Sequence, residues 1–218
     1  MMGKRGVLIC FEGLDHCGKS SQARILAEYI TKHYNQETCV IAFPTRDTPT
    51  GYIIDRYLKN ISAPLEDHTA HLLFSTNRWE KRDYIIHLLE NGTNVILDRY
   101  SYSGIAYSLA KNDDPTLSYE WCLSSEKGLP KPDIVFYFTI DARTAARRCM
   151  SSFKQQERFE TLDFLSKVKS IYEQLLFNKR YWKAIDAEQP EERITQDIIL
   201  QLPFIMQTAP YLPIQLIY

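Results

Sequence analysis

Residues Gly13 to Ser20 read G-L-D-H-C-G-K-S and directly follow the apolar run Val7-Leu8-Ile9-Cys10-Phe11. An apolar run feeding G-x-x-x-x-G-K-[ST] is a buried strand opening into a loop that wraps the phosphates of a nucleoside triphosphate. The chemistry behind each position is specific. Gly13 and Gly18 allow a tight turn whose backbone N–H groups point inward at phosphate oxygens. Lys19 brings a positive charge to the β/γ-phosphates, and Ser20 offers a hydroxyl to Mg²⁺. A helix must begin where the loop ends, so that its positive dipole end also faces the phosphates. Leu26, Tyr29, Ile30, His33 and Tyr34 recur at helical spacing behind the loop and supply that helix.

The rest of the chain narrows the architecture. Five strand-like segments are expected at Gly6–Phe11, Cys39–Phe43, Asn94–Leu97, Asp133–Ile140 and Trp182–Asp186. Most are apolar without alternation, the pattern of parallel strands covered on both faces. Helical patterns lie between them at about 19–34, 48–60, 66–90, 103–111, 116–126, 142–152, 161–179 and 190–201. Alternating strands and helices give an α/β fold, here a three-layer α/β/α P-loop architecture with a five-stranded parallel sheet. Ligands of such sheets bind beyond the carboxyl ends of the strands, so Gly13–Ser20, Pro44–Arg46 and Asp98–Tyr100 should converge. At 218 residues the chain is expected to form one domain (1–218) with a small lid at about 149–160.

Composition removes several function classes. A net charge of −1 argues against a general nucleic-acid surface. No apolar run approaches the roughly 20 residues needed to cross a bilayer. Met1-Met2-Gly3-Lys4-Arg5 leads straight into the first strand, so no signal peptide is expected. Five cysteines without a C-x-x-C pair suggest reduced thiols inside the cell, in the cytoplasm or else the nucleus. Cys17, inside the phosphate loop, reads either as a small filler or as a reactive thiol near a helix start.

Further candidates stand at strand ends. Asp98 closes Val95-Ile96-Leu97-Asp98, the place of a second anchor for Mg²⁺; a helix cap or a pair with Arg99 is the plainer alternative. Arg99 and Arg46 follow adjacent strands, and two guanidinium groups there imply a second anionic group besides the triphosphate, as in a monophosphate acceptor. Phe74 and Arg78 lie four apart on one helical face, where a ring can stack on a nucleobase and a guanidinium can bond its carbonyls. Arg147, Arg148, Lys154 and Arg158 fall in a basic, polar excursion that reads as a lid over phosphates.

These segments together resemble the thymidylate kinase family over nearly the whole chain, its eukaryotic and poxviral branch above all. F-E-G-L-D-H-C-G-K-S, F-P-T-R at Phe43–Arg46, L-L-F-S-T-N-R-W-E at Leu72–Glu80, D-R-Y-S-Y-S-G-I-A-Y at Asp98–Tyr107 and G-L-P-K-P-D at Gly128–Asp133 carry the resemblance, in the family's order. It implies phosphorylation of dTMP by ATP with Mg²⁺, and a homodimer. By the same resemblance Phe74 stacks on thymine, Arg78 bonds its O4, and Arg46 and Arg99 hold the dTMP phosphate. Asp15 accepts from the 3′-hydroxyl and Tyr107 lies under the sugar, with Phe43, Gly104 and Phe159 bordering the substrate. Gly13, His16, Cys17, Gly18, Lys19, Ser20 and Ser21 serve ATP, Ser20 and Asp98 the metal, and Arg148 lies on adenine near the Asp186–Ala187 turn. The alternative reading is a deoxynucleoside kinase, with thymidine as acceptor.

His16 departs from the branch, which usually has Arg or Lys there. An imidazole supplies full charge only when protonated. If His16 is a partly protonated clamp on the transferring group, helped by Lys154 or Arg158, kcat falls as pH rises through about 7 and His16→Arg flattens the fall. A wild-type profile flat from about pH 6 to 9 rejects that role. Phe159 stands where the family commonly has tyrosine, and Glu157 and Glu160 support either the metal shell or the lid cations.

Overall fold

The computed structural model describes residues 4–60, 64–111, 114–150, 158–159, 161–176 and 180–218. Its centre is a sheet of five strands: β1 Leu8–Gly13, β2 Thr38–Ala42, β3 Asn94–Asp98, β4 Ile134–Thr139 and β5 Trp182–Asp186. All neighbours pair in parallel, in the order β2-β3-β1-β4-β5. The crossovers are made by helices: α1 Lys19–Tyr34, α2 Pro49–Leu58, α3 Asp67–Trp79, α4 Arg82–Glu90, α5 Ser101–Leu109, α6 Tyr119–Ser124, α7 Ala142–Met150, α8 Leu162–Ile171, α9 Glu191–Ile199 and α10 Leu202–Thr208.

Every residue of β1 and β3 is buried, so both faces of the sheet are covered there, as apolar runs without alternation predict. The expectation does not extend to the rim. Val40 in β2 is exposed, as are Lys183 and Ala184 in β5, because each of these strands has a neighbour on one side only. Arg5 and Asp133 close the lower end of the sheet in a two-pronged ion pair (2.6 and 2.8 Å), and Asp133 also accepts from the Leu8 N–H.

Two expectations need correction. The helix expected over 66–90 is two helices, broken at Glu80 and Lys81. Neither glycine nor proline marks the break. Long-range contacts hold it: Trp79 Nε1 donates to the Ser125 carbonyl (2.7 Å) and Glu80 accepts from Thr50 (2.7 Å). The second is α10, which begins with Pro203 in its first turn and buries Leu202 and Met206; no helix was expected there. Of the expected lid, Cys149, Met150, Arg158 and Phe159 are described; Lys154, Glu157 and Glu160 lie outside the described residues.

Glu66 caps α3, accepting from the backbone N–H of His68 (3.0 Å) and Thr69 (2.9 Å). Those bonds, with one from the His68 ring, hold its carboxyl at about 2 instead of 4.5. A carboxyl lowered by folding stabilises the fold above its unfolded value and stops doing so as pH falls to the folded one. Tm measured against pH should therefore fall from about 4.5 toward 2, with a shallower fall in Glu66→Gln; identical limbs would contradict the cap.

Candidate active site

The three strand-end segments do converge. They enclose a cavity of about 870 Å³ at the carboxyl ends of β1, β2 and β3. A second cavity, of about 230 Å³, shares Gly18 and Arg148 with the first.

The loop after β1 takes the conformation its glycines permit. Gly13 has φ +141, and a Cβ there would stand 2.7 Å from the Phe138 carbonyl oxygen. Gly18, at φ +91, caps α1. Gly18, Lys19, Ser20 and Ser21 line the main cavity. Lys19 Nζ donates to the Leu14 carbonyl (2.5 Å) and lies 3.3 Å from Cys17 Sγ. Cys17 is buried and lines the smaller cavity, which fits a filler better than a reactive thiol. Ser20 Oγ donates to Asp98 Oδ2 at 2.5 Å. Two oxygen donors side by side, with room for waters, suit a Mg²⁺ ion, which prefers carboxylate and hydroxyl oxygen.

Asp15, Arg99 and Tyr107 form one unit. Arg99 donates to Asp15 Oδ1 (2.5 Å), to the Gly13 carbonyl (2.8 Å) and to Ser103 Oγ (3.1 Å). Tyr107 donates to Asp15 Oδ2 (2.7 Å), and the Arg99 guanidinium lies 5.2 Å above the Tyr107 ring. Burial alone would push the Asp15 carboxyl up. The charges of Arg99 and Lys19, with the bonds from Tyr107 and Arg99, outweigh it and hold Asp15 at about 2. Burial raises the Tyr107 hydroxyl well above its ordinary value, so it remains a donor. Arg99 itself sits at φ +68, a conformation a side chain rarely adopts.

Glu12 explains how that conformation is held. Fully buried at the end of β1, it accepts from the backbone N–H groups of Tyr100 (2.9 Å) and Ser103 (3.1 Å), and from the hydroxyls of Ser103 (2.5 Å) and Tyr172 (2.7 Å). It ties down the first turn of α5 and thereby the Arg99 turn. Sequence reasoning missed Glu12; a lone acid ending an apolar strand was its one signal.

The other wall comes from α3 and α5. Phe74, Arg78, Gly104 and Tyr107 all line the cavity, with Phe43 and Arg46 from the end of β2. Arg46 pairs with Asp55, which also holds Lys59 (2.7 Å). Arg78 is buried and forks onto the fully buried Glu126, through Nε to Oε2 (2.8 Å) and through Nη2 to Oε1. Glu126 was missed as well. Gly104 makes this possible, because a Cβ there would stand 2.5 Å from Arg78 Nη2. Gly104→Ala should thus raise KM for the acceptor about tenfold or more by displacing Arg78, whose movement Glu126 resists. An unchanged KM would show that Arg78 is not needed in place.

The remaining candidates are more spread. Phe159 lines the cavity and stacks on Phe164 (5.0 Å). Arg158 is placed on α2: its Nε donates to the Tyr57 carbonyl (3.1 Å) and its guanidinium lies 4.5 Å from the Tyr57 ring. His16 lines the cavity at φ +59, and its carbonyl accepts from Arg148 (3.5 Å). Arg148 also donates to the Ala187 carbonyl (3.1 Å), beside Asp186, which caps the next turn through Glu188 N–H (2.9 Å). No helix among the described residues is long and apolar enough to cross a membrane.

Comparison with known proteins agrees with this geometry. The family profile named Thymidylate kinase matches residues 11–198. The thymidylate kinase of Dictyostelium discoideum is 46% identical over 197 residues, covering 90% of this chain and 85% of that protein. The human thymidylate kinase is 35% identical over 215 residues, covering 98% of each. Among solved structures, the Candida albicans thymidylate kinase superposes with a TM-score of 0.85 at 39% identity, over 98% of this chain and 99% of that one. With profile, relatives and fold in agreement over nearly its whole length, the chain belongs to the thymidylate kinase family.

Proposed function

We propose that the protein transfers the γ-phosphoryl group of ATP to dTMP, giving dTDP and ADP. The observation that carries this is the pair Arg46 and Arg99 in the same cavity as the phosphate loop, beside a wall that offers Phe74 and Arg78. The loop and Lys19 account for one anionic ligand; the two arginines call for a second.

In this reading a dTMP phosphate oxygen attacks the γ-phosphorus in line. The new P–O bond forms as the bond to the β–γ bridging oxygen breaks, and ADP leaves with that electron pair. No general base is required, since a monophosphate is largely ionised at pH 7. Catalysis is then positioning and charge stabilisation. Arg99 and Arg46 hold the acceptor phosphate, Asp15 and Tyr107 the sugar, and Phe74 and Arg78 the base. Lys19 and the loop amides hold the donor phosphates, and Arg148 the adenine beside the Asp186–Ala187 turn. Mg²⁺ on Ser20 and Asp98 would neutralise phosphate charge. The segment at about 149–160 would close as a lid, with Arg158 and Phe159 at its end.

A homodimer is part of the proposal, supported by the exposed apolar side chains Leu72 and Trp79, seven residues apart on α3. A panel of dTMP, dUMP, dGMP and thymidine with ATP and Mg²⁺, followed by ADP release, tests the reading. Fastest turnover of dTMP is expected. Faster turnover of thymidine would favour a deoxynucleoside kinase instead.

A further inference from the structure

His71 stands three residues before Phe74 and seven before Arg78, which puts all three on the face of α3 that packs on α5. It reaches the cavity wall although it is only 1% exposed. Its Nε2 lies 3.0 Å from the Cys122 carbonyl oxygen and 3.0 Å from Ser125 Oγ. A carbonyl can only accept, so Nε2 carries a proton. Ser125 Oγ donates to the same carbonyl (3.1 Å) and so meets Nε2–H with a lone pair. Burial, and then the charge of Arg78, push the ring below its ordinary pKa, against the pull of Glu126 and the carbonyls of Cys122 and Gly104. The ring therefore holds one proton, on Nε2, and Nδ1 is a bare acceptor. Ser108 Oγ lies 2.8 Å from Nδ1 and can only donate to it. A hydroxyl has one hydrogen. With that hydrogen on His71, Ser108 shows lone pairs to the cavity it lines.

We infer that His71 is a positioning residue for base selection: it fixes the Ser108 hydroxyl as an acceptor toward the cavity, one helical turn from Gly104, over which the Arg78 donors lie. The pocket then offers an acceptor beside donors and takes a pyrimidine edge that carries N–H beside C=O. Cytosine presents the reverse, an unprotonated ring nitrogen beside an amine, and meets like with like at both positions. The inference rests on the thymidylate reading above.

The test compares dTMP with its N3-methyl analogue, which keeps both carbonyl oxygens and carries a methyl group in place of the N3 hydrogen. Wild type should prefer dTMP by about tenfold in kcat/KM, mainly through KM. Ser108→Ala and His71→Leu should bring that ratio to about one. His71→Asn, whose side-chain oxygen can accept the Ser108 proton, should restore it. A purely structural His71 would lower activity on both substrates equally and leave the ratio at its wild-type value; that result overturns the inference, as does a wild type that does not discriminate. A wild type that turns over neither substrate overturns the thymidylate reading, and this inference with it. Imidazole ¹⁵N NMR of the wild-type protein gives a readout free of any folding defect in the variants. Protonated Nε2 with bare Nδ1 is expected, and a proton on Nδ1 overturns the inference.

Discussion

Arg99→Ala will lower kcat/KM for dTMP by about 10³-fold. Truncating one member of a buried hydrogen-bonded charge pair costs about 2–5 kcal/mol, or roughly 30- to 5,000-fold; this pair is partly exposed, which lessens that share, but a phosphate contact is lost as well. The loss has two separable parts. Without Arg99, Asp15 keeps Lys19 and Tyr107, and its carboxyl rises from about 2 toward or past 3.8. The stability that Asp15 supplies above about pH 3.8, and loses as pH falls toward 2, should shrink accordingly and vanish where the carboxyl reaches 3.8. Combining Arg99→Ala with Asp15→Asn separates the two parts. If Arg99 served only to hold Asp15, the double variant would be no worse than Asp15→Asn alone; a further loss of tenfold or more is expected, because Arg99 also contacts the acceptor phosphate. Arg99→Gly should be as inactive as Arg99→Ala yet more stable, since glycine accepts φ +68 without strain.

Glu126→Ala will cause the largest loss of stability. The Arg78–Glu126 pair is 3% and 0% exposed, so removing the acid leaves a guanidinium charge buried with no counter-charge. Breaking such a pair costs about 3–5 kcal/mol. For a chain of this size, that is a fall in Tm of about 10 °C. Glu126→Gln should fall between, since an amide oxygen can still accept one of the two bonds. The double variant Arg78→Met with Glu126→Leu removes both charges and should recover most of the Tm, because an apolar pair of similar volume avoids desolvating either ion. It should not recover binding of dTMP. Recovery of both would mean that the pair is structural and reads no base.

The legible parts of this molecule are those whose cause is local. The β1 strand, its loop and α1 follow from apolar residues, glycines and a lysine adjacent in sequence, and Arg46, Asp98 and Arg99 follow from standing at strand ends. What stayed hidden depends on partners far away along the chain. The break at Glu80 and Lys81 is held by Ser125 and Thr50. Glu12 acts on Ser103 and Tyr172, and Arg78 is aimed by Glu126, 48 residues on. His71 gains its meaning only from Cys122 and Ser108. Propensity and spacing carry no record of such pairs, because a buried acid or histidine has the same one-residue signature as an exposed one. Arg158 also bonds the Tyr57 and Leu58 carbonyls at the end of α2, about 100 residues back along the chain, and the basic stretch around it carries no sign of that.

The central claim is that the second anion in the cavity is a nucleoside monophosphate. Steady-state kcat/KM for dTMP against thymidine, with ATP and Mg²⁺ held fixed, tests it most directly. Two arginines with no phosphate to bind should leave thymidine about 10³-fold or more behind dTMP, whereas equal or faster phosphorylation of thymidine would contradict the account.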